Sequence, residues 1–163
     1  GEFTNEEMSE LYNHPKVKAM VNLTKGEGYG RPLLEFSLVN KPIISTNWSG
    51  HIDFLNQEFT ALCGGQLNDV HPSSRNEWIV EGSKWFDVDL GNVGFFLNDV
   101  FSNYKKYKNL ANRQGYVSRT NFSFEKMKSD IKSILSESIP EFPKQVEFKL
   151  PELKLPKLKK VEA

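Results

Sequence analysis

The chain has 163 residues, of which 38% are hydrophobic and 26% charged, and its 21 basic and 21 acidic side chains give a formal net charge of zero. This balance excludes a global field that would attract nucleic acid or an anionic membrane, so we expect neither as a partner. The size predicts one globular domain whose core needs no metal, and the single cysteine, Cys63, excludes an internal disulfide.

The start of the chain carries two local patterns. Gly1-Glu2-Phe3 is typical of a cloning remnant, so we assign the domain to residues 4–138 and expect it to be incomplete on its N-terminal side. Thr4 followed by Glu7 forms a capping box, which predicts a short helix to about Tyr12. No apolar run approaches the roughly 20 residues of a membrane span and no signal peptide is evident, so we expect a cytoplasmic protein.

The next segment has the pattern of a strand–helix–strand unit. A strand is predicted over 17–23, a glycine-rich loop over Thr24–Gly30, a helix over 31–39 with Pro32 in its first turn, and a strand over 41–46. Such units form parallel sheets with right-handed crossovers. We therefore predict an α/β fold: a partial Rossmann-like domain, with a parallel sheet flanked by helices.

The remaining elements are predicted from composition and periodicity. We expect a turn over 47–50, a short helix over 51–56, a strand over 60–63, a loop over 64–72, a helical stretch over 73–80 and an aromatic, acidic connector over 85–89. Three helices should follow over 90–104, 105–119 and 123–136. The Pro/Lys/Leu-rich segment 139–163 predicts an extended tail, either solvated or bound to a protein partner. Cys63 lies in an apolar stretch, which indicates a packing role.

The glycine-rich loop carries the chemistry that the sequence offers. Glycines between a strand and a helix let a ligand approach the backbone, and a helix start presents amides that suit a phosphate. Glu27 and Glu35 are acceptors that suit paired sugar hydroxyls. Together these features describe a site for a sugar nucleotide. The alternative left open by local physics is a tight turn followed by a solvated helix face.

The segment from Glu27 to Glu35 resembles the E-x7-E motif of GT-B glycosyltransferases, in particular the retaining family 4-like group (glycosyl transferases group 1). The segments 41–55, 20–25 and 85–89 are similar to the strand, turn and connector segments of that family. The resemblance covers roughly residues 6–135. It implies that the chain is the C-terminal, donor-binding domain of a GT-B fold, in a retaining hexosyltransferase-like parent enzyme.

The resemblance also implies roles for individual residues. Glu27 would be catalytic, beside the donor sugar, and Glu35 would bind the ribose hydroxyls of a UDP- or GDP-sugar. The loop and helix start would contact the donor sugar and diphosphate through Gly28, Tyr29, Gly30, Arg31, Pro32 and Leu33. Trp48 and His51, in the turn after the second strand, are two further candidates. The family needs no metal or other cofactor, and the sequence has no metal-ligand cluster.

The chain departs from the family pattern in two ways. Arg31 stands where the family has a small or aliphatic residue, and it could contact a phosphate or face solvent. The upstream arginine and lysine pair and the N-terminal acceptor domain are missing, so we expect this fragment to be inactive alone and open to self-association. Two alternatives remain open at this point: a non-catalytic scaffold or protein-interaction module of the same fold, and a related sugar-nucleotide epimerase.

Overall fold

The structure is a computed structural model that describes residues 2–140. Its first helix begins with a capping interaction between side chains and backbone. Helix α1 (Asn5–Asn13) begins at Thr4, whose hydroxyl accepts the Glu7 amide while the Glu7 carboxylate accepts the Thr4 amide. The predicted capping box is therefore confirmed. Gly1 of the predicted remnant and residues 141–163 of the predicted tail lie outside the described residues.

The predicted strand–helix–strand unit is confirmed. Strands β1 (Met20–Asn22), β2 (Ile43–Thr46) and β3 (Ala61–Cys63) form a three-stranded parallel sheet in the order β1-β2-β3, and helix α2 (Arg31–Ser37) connects the first two. The strands β1 and β2 are shorter than predicted. The ladder starts at the Met20–Ile43 pair because the preceding Pro42 has no amide hydrogen to donate.

Two apolar clusters cover the two faces of this sheet. Ile43 packs in the first cluster with Leu33, Phe36 and residues from α1, whereas the adjacent Ile44 packs in the second with residues of the C-terminal helices. Neighbouring strand residues point to opposite faces, so the sheet is buried on both sides. Cys63 is fully buried in the second cluster, which confirms its packing role, and burial raises the pKa of its thiol.

A second sheet replaces two segments that were predicted as a loop and a connector. Strands β4 (Gly65–Asp69) and β5 (Lys84–Val88) pair antiparallel, with Leu67 opposite Phe86. The predictions of a loop over 64–72 and a connector over 85–89 were wrong. Most of β4 is exposed, so it lacks the apolar alternation that identifies a half-buried strand in a sequence.

The helical stretch predicted over 73–80 was also wrong. The structure has a short 3-10 helix at Pro72–Ser74, and the chain beyond it is irregular. The Asn76 side-chain oxygen accepts the amides of Trp78 and Ile79 at 2.8 and 2.9 Å. Such local hydrogen bonds compete with helix formation, and here the chain forms them in place of a helix.

Three C-terminal helices close the described part of the chain, as predicted: α3 (Leu90–Ser102), α4 (Tyr104–Asn121) and α5 (Phe124–Ser138). Helix α4 packs against α2, where the hydroxyls of Ser37 and Ser118 are 2.7 Å apart. One face of α5 is apolar and exposed, with its five residues between 47% and 69% accessible: Phe124, Met127, Ile131, Ile134 and Leu135. Within residues 2–140, no helix has the length and apolar character needed to cross a membrane.

Candidate functional site

The carboxylate of Glu27 lies at the carboxyl end of β1, where two side chains hold it. Asn22 Nδ2 and Thr24 Oγ1 both donate to Glu27 Oε1, at 3.1 and 2.9 Å. The second carboxylate oxygen, Oε2, accepts no hydrogen bond from the described residues. The side chain is thus fixed through one oxygen, and the other can accept a hydrogen bond from a ligand.

The backbone of Glu27 is held from the other side by the turn after β2. We call Ser49-Gly50-His51 the clamp turn. Ser49 Oγ accepts the Glu27 amide at 2.9 Å and donates to the Glu27 carbonyl at 2.5 Å. The amide of Gly50 also donates to this carbonyl, at 3.2 Å. Three bonds therefore tie the glycine-rich loop to the end of the neighbouring strand.

Two glycines of this contact cannot carry a side chain. A Cβ on Gly50 would lie 2.2 Å from the carbonyl oxygen of Gly28. Gly30 has a left-handed backbone with φ 81°, and a Cβ there would lie 2.9 Å from the Cβ of His51. The loop and the clamp turn approach so closely that both positions require glycine.

His51 lies behind the glycine-rich loop. Its side chain is fully buried, and its Nε2 is 2.6 Å from the carbonyl oxygen of Thr46, so Nε2 carries a proton and donates. Its Nδ1 has no hydrogen-bonding partner among the described residues. His51 thus supports the loop from beneath, whereas the sequence analysis considered it as a ligand contact.

The start of α2 offers fewer amides than a regular helix start. Pro32 has no amide hydrogen, and the amides of Leu33 and Leu34 both donate to the carbonyl of Gly30. The side chain of Leu33 is fully buried in the core, so it cannot contact a ligand. The amides left for a ligand belong to three exposed residues that precede these positions, and none of them donates to another of residues 2–140: Gly28, Tyr29 and Arg31. The Gly30 amide also donates to none of them, but Gly30 is buried.

Glu35 lies on a different surface from Glu27. Its Oε1 accepts a hydrogen bond from Arg31 Nε at 3.0 Å, in an ion pair one helical turn apart. Arg31 and Glu35 line a groove of about 810 Å³ between α1 and α2, together with Tyr12. Burial, followed by the charge of Glu35, raises the pKa of the Tyr12 hydroxyl. The two glutamates share no hydrogen-bonding partner, and Glu35 lines this groove whereas Glu27 does not.

Aromatic side chains flank the loop on the side of the second sheet. The ring of Trp48 stacks on Phe86 with 6.1 Å between centroids and 39% of the residue exposed. Lys25 lies 4.4 Å above the ring of Trp85 and forms an ion pair with Asp87. The hydrogen bond from Lys25, followed by one from Asn68, lowers the pKa of the Asp87 carboxyl. Of the two neighbouring aromatic residues in β5, Phe86 is buried and Trp85 is half-buried.

Comparison with known protein families finds no match to this chain, and comparison with curated proteins finds none either. Nor do residues 2–140 hold any group of three or more histidine, cysteine or acidic side chains arranged to bind a metal ion. The geometry of the loop, the clamp turn and the α1–α2 groove is therefore the basis for a functional interpretation.

Three residues of this site were not singled out in the sequence: Asn22, Thr24 and Ser49. Asn22 ends β1 and Thr24 begins the loop, so polar residues at the end of a predicted strand were the available signal. Ser49 precedes Gly50 in a predicted turn. Its bonds to Glu27 join residues 22 positions apart, and a local pattern does not reveal such a contact.

Proposed function

We propose that this chain is the donor-binding region of a GT-B glycosyltransferase, where it binds a nucleoside diphosphate sugar. The observation that carries the proposal is the fixed carboxylate of Glu27 next to the open amides of the glycine-rich loop. A carboxylate with one open oxygen suits a sugar hydroxyl, and open amides suit a diphosphate. The two chemistries occur side by side at the carboxyl end of a parallel sheet, where open α/β folds bind ligands.

During sugar transfer, the carboxylate of Glu27 would accept a hydrogen bond from the donor sugar. Its anchored oxygen keeps the carboxylate in one orientation, and its other oxygen would hold a hydroxyl of the sugar. The exposed amides of Gly28, Tyr29 and Arg31 would stabilise the charge that develops on the departing diphosphate. This division of roles requires no metal ion. As in the retaining group that the sequence resembles, the glycosyl group would be transferred to its acceptor with retention of configuration, and the nucleoside diphosphate would leave.

Glu35 would bind the ribose of the same donor. Its carboxylate borders a groove of a size that suits a small ligand, and one of its oxygens already pairs with Arg31. A ribose offers two neighbouring hydroxyls, which an acceptor-only carboxylate can bind together. Arg31 would then orient Glu35, or contact a phosphate after releasing it.

The acceptor side of the reaction would come from another domain. The described residues form one α/β unit, with the candidate site at the carboxyl end of its parallel sheet. In a GT-B enzyme, an N-terminal domain closes the cleft over such a site. We therefore expect donor binding, but no sugar transfer, from this chain alone.

Ligand-observed NMR against UDP-, GDP- and ADP-sugars tests the proposal. We expect one nucleotide class to bind, and Glu35→Ala to weaken that binding by about tenfold or more, because a hydrogen bond to a charged group is lost. Glu58→Ala is the matched control, since Glu58 is exposed outside the site. Equal affinities of the two variants would contradict the assignment of Glu35, and absence of binding in a chain extended upstream would contradict the function.

A protein-interaction module of the same fold is the second candidate, and the exposed apolar face of α5 favours it. Such a face lowers its free energy by burying itself against a second surface. We expect the isolated chain to self-associate as its concentration rises, which light scattering measures. A monomer at every concentration would contradict an interaction of the α5 face with a second copy of this chain.

A further inference from the structure

Ser49 has a backbone conformation that serine rarely adopts. Its φ is 81° and its ψ is −169°, a region that is populated almost entirely by glycine because a Cβ clashes there with the backbone. The residue follows directly after Trp48 in the turn that leaves β2. A strained residue persists only where surrounding contacts hold it, so the contacts of Ser49 indicate what the strain maintains.

The contacts that hold Ser49 converge on Glu27. The Ser49 hydroxyl both accepts from and donates to one residue, since it accepts the Glu27 amide and donates its proton to the Glu27 carbonyl. Glycine, which would remove the strain, has no hydroxyl and could make neither bond. Strain at Ser49 is therefore coupled to the fixed backbone of Glu27.

The side chain of Glu27 depends on that backbone. Asn22 at the end of β1 and Thr24 at the start of the loop hold its Oε1, and Ser49 in the clamp turn after β2 holds its amide and carbonyl. The carboxylate direction is set only when both ends of the residue are fixed. Gly50 adds a third constraint, because its amide donates to the same carbonyl and its Cα lies against Gly28.

We propose that Ser49 is a positioning residue for Glu27, and that its strained conformation is maintained for the two bonds of its hydroxyl. The link to a donor sugar rests on the function proposed above. The positioning of Glu27 by the clamp turn does not depend on that function, because it consists of hydrogen bonds within the chain. The two parts can therefore be tested separately.

Two variants separate the strain from the hydroxyl. Both Ser49→Ala and Ser49→Gly remove the hydroxyl, but the alanine variant keeps a Cβ in the strained region. We expect Ser49→Ala to unfold about 2 to 8 °C below Ser49→Gly in thermal denaturation. Equal unfolding temperatures would overturn the claim of strain.

Amide hydrogen exchange measures, without any ligand, how well the clamp turn protects the Glu27 amide. In both variants the Glu27 amide loses its acceptor, so we expect it to exchange about tenfold faster than in the unaltered chain. The amide of Lys126, which likewise donates to a serine hydroxyl, that of Ser123 at the start of α5, should be unchanged and is the internal control. An unchanged rate at Glu27 would overturn the positioning role.

Ligand affinity then tests the link to the sugar. In Ser49→Gly we expect the affinity for the nucleotide sugar to fall about tenfold and that for the nucleoside diphosphate alone to stay the same, because Glu27 would contact the sugar. An equal loss for both ligands would contradict positioning through Glu27. If neither the unaltered chain nor a chain extended upstream binds either ligand, the proposed function fails, while hydrogen exchange and thermal unfolding still test the positioning role of Ser49.

Discussion

Alanine at position 50 is expected to separate the glycine-rich loop from the clamp turn and to weaken binding of the proposed nucleotide-sugar donor by at least about tenfold. The new Cβ would lie 2.2 Å from the Gly28 carbonyl oxygen and 3.0 Å from the Cα of Tyr29, so the backbone of one segment must move. That movement breaks the bond from the Gly50 amide to Glu27. We expect the free energy of unfolding to fall by about 1 to 3 kcal/mol.

Gly94→Ala is the matched control for this substitution. The change in composition is the same, but Gly94 lies within α3 with nothing within 4 Å of the added Cβ. Alanine there should raise the free energy of unfolding by about 0.5 to 1 kcal/mol, because glycine is the poorer helix former. Urea unfolding and NMR titration with the donor measure both variants. Unaltered donor affinity in Gly50→Ala would show that the loop tolerates the displacement, contrary to the site described here.

Replacing Gln114 is expected to cause the largest loss of stability. This buried side chain in α4 donates to the Phe54 carbonyl at 2.6 Å and to Ser118 Oγ at 3.0 Å, and it accepts the Asn56 amide at 2.8 Å and the Thr60 hydroxyl at 3.3 Å. Gln114→Ala would leave these buried groups unpaired around a cavity. We expect a loss of about 3 to 5 kcal/mol, a large part of the total stability of a domain.

Thermal unfolding followed by circular dichroism measures this loss, which corresponds to a fall of roughly 6 to 15 °C in Tm. Gln57→Ala removes the same atoms from an exposed position and should change Tm by less than about 2 °C. A similar Tm for the two variants would mean that water replaces the lost bonds of Gln114.

The sequence was sufficient for the elements with strong local patterns. The apolar strand residues before and after the glycine-rich loop, with Pro32 at a helix start, predict the parallel β1–α2–β2 unit that the structure contains. The periodicity of α3, α4 and α5 likewise predicts their positions within a few residues. Each of these elements carries its own hydrophobic or capping signal.

The second sheet could not be predicted in this way. Strand β4 has one partly buried residue, Asn68, so its alternation carries no apolar signal, and its partner β5 follows after an irregular segment. The pairing of Asn68 with Trp85 is a long-range contact that neither strand specifies alone. The same limit applies to the site, where the motif identified Glu27 but not the strained Ser49 that holds it.

The clamp turn also has a consequence for the order in which this protein folds. Its bonds join the segments that follow β1 and β2, so we expect them to form only after those strands have paired across the α2 crossover. Interactions completed after the rate-limiting step affect the unfolding rate and leave the folding rate nearly unchanged. The folding rate of the α/β scaffold would therefore not depend on the clamp turn, and the hydrogen bonds that fix Glu27 would form last.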